Sequence, residues 1–225
     1  MKSYSLEDDR WLTLGLAFVG GFSDAAGFTL GKTLTGHVTG NLVLVAISLV
    51  SHDLRSVFRQ LLAIAMFLMG VVVSTLIARL GAPRAASRIL SRIIIVEIAL
   101  LGAAAIALSS PLNFRVAIFL ACVSLALGLQ NGAFRCAGGT SVHTTYVTGM
   151  TTNLIASLGE RDHGDGSPGF PTLLQSNRVL AEIWLAFVAG AAAGAAMIFR
   201  LGGIGILGAA VILLALAWRV LMAAR

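Results

Sequence analysis

Gly36-His37-Val38-Thr39-Gly40-Asn41 opens directly into the apolar run Leu42 to Val50, and Thr144-Thr145-Tyr146-Val147-Thr148-Gly149 later leads through Met150, Thr151 and Thr152 to Asn153 and another short apolar run. Both stretches carry the tripeptide Val-Thr-Gly, and each follows a hydrophobic segment interrupted by polar residues. From Asn41 to Val50 a helix measures about 15 Å, half of a hydrocarbon core ~30 Å thick. Such a half-helix starts near the membrane midplane, with Gly36 and Gly40 permitting the turn and Thr39 or Asn41 capping its first N–H groups. Its positive dipole end then faces the interior. A second one, starting between Thr148 and Thr152, would point the opposite way. Two such ends suit an anion, a zwitterion or a neutral polar solute and oppose a bare cation. Capping and solute binding draw on the same Thr and Asn atoms, so these two readings compete.

Composition sets the surroundings. Of 225 residues, 57% are hydrophobic and 12% charged, and the mean hydropathy is +0.91, so there is too little polar surface for water to cover. Uncharged runs long enough to span a bilayer recur, without the alternation of barrel strands. The expected class is an all-α integral membrane protein forming one polytopic domain. The net charge of +6 comes from Lys and Arg scattered at segment ends, with no basic stripe interleaved with aromatics. The expected partners are therefore the lipid bilayer and a small-molecule solute and not nucleic acid; a homo-oligomer stays open. The acidic start, Glu7-Asp8-Asp9, reads as the approach to a retained first helix rather than a cleaved signal.

The apolar segments run from Trp11 to Leu30, Thr33 to Val50, Phe58 to Ala78 and Ile93 to Leu108. After the break at Ser109-Ser110-Pro111-Leu112-Asn113 they continue from Phe114 to Phe134, Val142 to Leu158, Val179 to Phe199 and Ile204 to Leu221. The halves 11–108 and 114–221 follow one plan. Phe67-Leu68-Met69-Gly70 lines up with Phe187-Val188-Ala189-Gly190, and Asp24 falls near Asn131. If all eight segments crossed, positive charge would show no clean bias to one face. If the second and sixth enter and return on the same side, only Lys32, Arg55, Arg59, Arg115 and Arg200 fall on one face and all other Lys and Arg on the opposite one. This predicts six transmembrane helices plus two short re-entrant or broken half-helices, with N- and C-termini cytoplasmic. Each half then crosses an odd number of times, which makes an inverted internal repeat. Thr33 to Val50 is also just long enough for a broken helix that crosses.

Asp24 lies in the middle third of the first span, where a carboxylate needs a polar neighbour; it either exchanges a proton or caps the re-entrant segment. His37 is placed to pair with it. Gln130 and Asn131 hold the corresponding place in the second half. Together with Thr39, Asn41, Thr145, Thr148 and Asn153 these residues form the expected substrate-binding site. Glu97 stands about five residues inside its segment, which suggests snorkelling or an ion pair with Arg92 or Arg219. Gly-x-Ser-x-Gly, His-Glu-x-x-His, Walker and metal-spaced cysteine patterns do not occur, so neither enzyme activity nor a cofactor or metal is expected.

Gly20-Gly21-Phe22-Ser23-Asp24-Ala25-Ala26-Gly27-Phe28, Leu30-Gly31 and His37-Val38-Thr39-Gly40-Asn41 resemble the first signature of the YoaK-like family (DUF1275). Gly128-Leu129-Gln130-Asn131 with Thr144 to Gly149 resembles the second. The resemblance implies a bacterial inner-membrane protein of about this length acting as a small-molecule permease. The expected function is facilitated movement of a small polar or anionic solute, or proton-coupled movement through Asp24. The alternatives are a passive channel on the same scaffold and a non-transporting membrane scaffold or assembly protein.

Overall fold

The computed structural model describes residues 10–80, 86–138, 152 and 170–223. Among them the regular elements are all helical: α1 (Arg10–Gly31), α2 (Val38–Val50), α3 (Leu54–Leu80), α4 (Ala86–Ser109), α5 (Arg115–Gly138), α6 (Phe170–Leu201), a 3-10 turn (Gly202–Ile206) and α7 (Leu207–Ala223). Among the described residues five stretches are long and apolar enough to cross a membrane: Arg10–Gly31, Leu54–Arg79, Leu90–Ser109, Arg115–Ala133 and Ala181–Met222. The last is broken at Gly202, whose φ of +58° ends α6. Large apolar side chains such as Val72, Leu76, Leu185 and Val188 are exposed along α3 and α6, as lipid-facing helices require. The chain is a multi-pass membrane protein.

Specific contacts fix the helix directions. α1 and α6 run parallel: Arg10 pairs with Glu182, and the Phe18 and Phe22 carbonyls lie against Gly190 and Gly194. α3 and α5 are also parallel, with the Phe67 and Val71 carbonyls against Gly128 and Gly132. α1 and α5 are antiparallel: Gly31 meets Val116, Gly27 meets Leu120, and the Leu16 carbonyl accepts from Gln130. α7 also opposes α1, since Leu216 meets Gly15 and Gly208 meets Phe22. α3 therefore runs opposite to α1, and α2 brings the chain back to the end of the bundle at which α1 finished.

The parallel pairs touch backbone to backbone. A Cβ added to Gly21 would lie 2.0 Å from the Phe187 carbonyl oxygen, and one on Gly128 would lie 2.1 Å from that of Phe67. Gly190 and Gly70 meet the Phe18 and Leu125 carbonyls in the same way. Small residues at these four positions allow a close approach that no side chain would fit. The contacts are reciprocal: Phe187 and Gly190 relate to α1 as Phe67 and Gly70 relate to α5. The α1–α5 contact is central. It is filled by Leu16, Leu120 and Leu127, with Ile94 and Leu101 of α4 and Leu213 of α7 completing the core.

Several boundaries differ from the hydropathy reading. α3 starts earlier, at Leu54, because the Asp53 carboxylate accepts from both the Ser56 amide (3.1 Å) and its hydroxyl (2.6 Å), capping the first turn. α4 starts at Ala86, so Arg88 and Arg92 belong to the helix rather than to the connection before it. α6 starts at Phe170 with Pro171 in its first turn, where the missing N–H costs nothing. Of the sixth segment, Val142 to Leu158, only Thr152 is among the described residues.

Candidate functional site at the broken entry to α2

α1 ends where Lys32 takes a left-handed φ of 52°. Its amide bonds to the Phe28 carbonyl at 2.9 Å, and its ammonium sits 5.3 Å from the Phe28 ring centre. The chain then folds back along α1 instead of continuing outward. Gly27 makes room for it, since a Cβ there would lie 2.6 Å from Thr35 Cγ2 and 2.8 Å from the Thr33 carbonyl oxygen. Asp24 holds the loop down. Its Oδ1 accepts the amides of Thr35 (2.8 Å) and Gly36 (2.7 Å) and the Thr35 hydroxyl (3.2 Å), while its Oδ2 lies 2.6 Å from His37 Nδ1. Asp24 precedes Gly31 by two helical turns, so the loop reaches ~10 Å back into the bundle.

α2 begins at that depth and is 13 residues long, about 20 Å at ~1.5 Å per residue. The expected cap is absent: among the described residues no side chain bonds to the first turn of α2, and the Asn41 amide is its first helical donor, to the His37 carbonyl. Thr39 is exposed. Asn41, 1% exposed, serves another purpose. Its Oδ1 accepts the Leu34 amide at 2.9 Å and its Nδ2 donates to the Leu34 carbonyl. A primary amide matches both polar groups of one residue's backbone, so Asn41 clips the loop to α2. At the other end His52, with φ 58°, closes α2, and Gln60 Nε2 of α3 donates to Ser48 Oγ at 3.1 Å.

Asp24 thus takes three donors on Oδ1, while Oδ2 has His37 Nδ1 beside it without an aligned hydrogen bond. The contact is a charge pair, and the His37 ring packs edge-on against Phe187 of α6 at 6.1 Å. The first N–H groups of α2 have no side-chain acceptor among the described residues.

The structure thus brings Asp24, His37, Thr39 and Asn41 to one loop. Gln130 lies apart from it in the α1–α5 contact, with Nε2 donating to the Leu16 carbonyl at 3.4 Å and Oε1 without a partner among the described residues. Asn131 Nδ2 donates to the Leu127 carbonyl at 2.9 Å. The reciprocal contacts give Asn131 the station on α5 that Asp24 has on α1. Thr145, Thr148 and Asn153 lie outside the described residues. Sequence reasoning missed Thr33 and Thr35, both buried in the loop; Thr33 and Thr35 alternating before the motif were the available signal. The expected exposure or pairing of Glu97 is corrected: it is 0% exposed, and neither carboxylate oxygen has a partner among the described residues.

A family model described as a protein of unknown function (DUF1275) matches residues 12–219. The chain is 24% identical over 147 residues to the UPF0700 transmembrane protein YoaK of Bacillus subtilis (strain 168), an alignment covering 65% of each chain. The aligned part thus falls just short of two thirds of the relative's length. No solved structure matches significantly. A match reaching from α1 to α7, through the loop hung from Asp24, makes the chain a member of the DUF1275 family.

Proposed function

We propose that the chain is a permease of the bacterial inner membrane that moves a small polar or anionic solute and is not an enzyme. The observation that carries this reading is the start of α2: a helix that begins well inside the bundle with its first N–H groups uncapped among the described residues, beside His37 and the exposed Thr39. Broken helices whose positive ends meet a cavity are the usual solute sites of transporters built from inverted repeats.

The reading includes six spans, with Ala181–Met222 counted as two because α6 and α7 oppose each other. It also includes an inverted repeat of 11–108 and 114–221, a reading supported by the reciprocal contacts of Gly21 with Phe187 and Gly128 with Phe67. The described helix ends carrying Arg79, Arg88, Arg92, Arg178 and Arg219 then share the cytoplasmic face with both termini. By its sequence likeness to the first motif, the second Val-Thr-Gly stretch, with Thr145, Thr148 and Asn153, is taken as the contribution of the second half to the site.

Stopped-flow swelling of proteoliposomes, with formate, glycine and glycerol as anionic, zwitterionic and neutral probes, tests the proposal. Protein-dependent swelling with one probe, reduced by Thr39→Val and Thr148→Val, is expected. Saturation with concentration marks a carrier rather than a channel. Absence of swelling with all three probes overturns the reading in favour of a non-transporting scaffold.

A further inference from the structure

Glu97 has the opposite surroundings to Asp24. It sits on the buried stripe of α4 formed by Leu90, Ile94 and Leu101, and nothing among the described residues bonds to either of its carboxylate oxygens. An ionised carboxylate without donors in such a place costs several kcal/mol or more, a cost that a bound cation removes.

Two counts locate its neighbour. α4 and α5 form an antiparallel hairpin across Ser109 to Arg115, so stepping back along one and forward along the other puts Glu97 level with Leu127. The Leu108–Gly203 contact puts Glu97 level with Leu213 and Leu214 of α7. Through the contacts of α7 with α1, that depth corresponds to Leu16, whose carbonyl accepts from Gln130. The counts bracket Leu127 to Gln130 on α5, and Gln130 Oε1 is itself a buried acceptor with no donor among the described residues. An acid in need of neutralisation and an amide oxygen in need of a donor therefore share one depth in the core.

We infer that Glu97 is a proton-binding site: its carboxyl group holds a proton in the folded protein and donates it in a hydrogen bond to Gln130 Oε1. Other titratable groups on the elements packed against α4 are few among the described side chains. α5 contributes Arg115 at its start and the half-buried Cys122 thiol, and α7 contributes Arg219, exposed and level with Arg92 nearer the helix end. α3 contributes Arg55, Arg59 and Arg79 toward its ends. Asp24, by contrast, already accepts three hydrogen bonds on Oδ1. On the permease reading, which this last step rests on, the ion coupled to transport is H⁺ and Glu97 carries it.

Infrared spectroscopy of the purified full chain at neutral pH tests the site without any transport assay. The carbonyl stretch of a protonated carboxylic acid is expected in the wild type, lost in Glu97→Gln and kept in Asp24→Asn. Gln130→Leu should move that band to higher frequency by removing its acceptor, and this reads the same contact if Glu97→Gln fails to fold. Absence of the band in the wild type, or its loss with Asp24→Asn alone, overturns the inference. So does a band that disappears in sodium but not in potassium, which would make the group a Na⁺ ligand. A surviving band without solute flux would sink the permease and spare the proton site.

Discussion

His37 Nδ1 lies 2.6 Å from Asp24 Oδ2, and the same carboxylate accepts two backbone amides of the loop that precedes His37. One side chain of α1 thereby decides where α2 begins. Asp24→Ala leaves the Thr35 and Gly36 N–H groups buried without an acceptor and should cost about 2–5 kcal/mol. Asp24→Asn keeps an acceptor and should cost less. Thermal unfolding in detergent checks the order; equal midpoints for Ala and wild type would show that the loop does not hang from Asp24.

Asn41 and Thr39 separate holding the loop from meeting a solute. Asn41→Leu removes both bonds to Leu34 and should destabilise by about 1–3 kcal/mol. Thr39→Val, at an exposed position, should change stability by less than about 0.5 kcal/mol while weakening solute flux. A Thr39→Val variant as unstable as Asn41→Leu would make Thr39 part of the scaffold.

The glycine contacts predict opposite effects from one substitution. Gly21→Ala, Gly128→Ala and Gly190→Ala each drive a methyl into a carbonyl oxygen and should cost about 1–3 kcal/mol through helix displacement. Gly102→Ala, with nothing within 4 Å of its Cβ, should be neutral or stabilising by up to about 1 kcal/mol. Melting curves of the four variants give the comparison.

Helix directions put the turns at His52, Asn113 and Gly202 at one end of the bundle. Single cysteines there, in a background lacking Cys122 and Cys136, should all react with an impermeant thiol reagent from the periplasm. Labelling of His52→Cys from the cytoplasmic side alone would mean that α2 crosses.

Asp53 gives an acid-sensitive cap outside the spans. The hydroxyl and amide of Ser56 hold its carboxyl below the usual value of 3.8. A lowered folded-state value means that the stabilisation is fully present above the unfolded value and is lost as pH falls through the folded one. Unfolding midpoints of wild type and Asp53→Ala should therefore differ at neutral pH and converge below about pH 3.8.

Much of this arrangement is readable from residues. His37-Val38-Thr39-Gly40-Asn41 marks a helix starting where a span should still be in progress, and α2 starts there. The alignment of Phe67 to Gly70 with Phe187 to Gly190 reappears as equivalent backbone contacts. The partner of Asn41 is not legible, because a capping amide and a loop-clipping amide have the same sequence signature and only the path of Leu34 distinguishes them. The burial of Glu97 is not legible, because Arg88 and Arg92 read as a connection. α4 runs through them with Arg92 turned outward, so Glu97 stands near the middle of its helix rather than at its edge. The partner motif around Thr148 falls outside the described residues, so that half of the site stays an expectation.

Backbones in contact have no side chains between them to yield. Sliding α1 along α6, or α3 along α5, would push carbonyl oxygens over one backbone ridge after another, so each pair moves as a stiff plank. Between the planks the contact is softer, since α1 meets α5 through the longer side chains of Leu16, Leu120 and Gln130. The short helix α2 is suspended from one plank by Asp24 and laced to the other by Gln60, and so it bridges that softer contact.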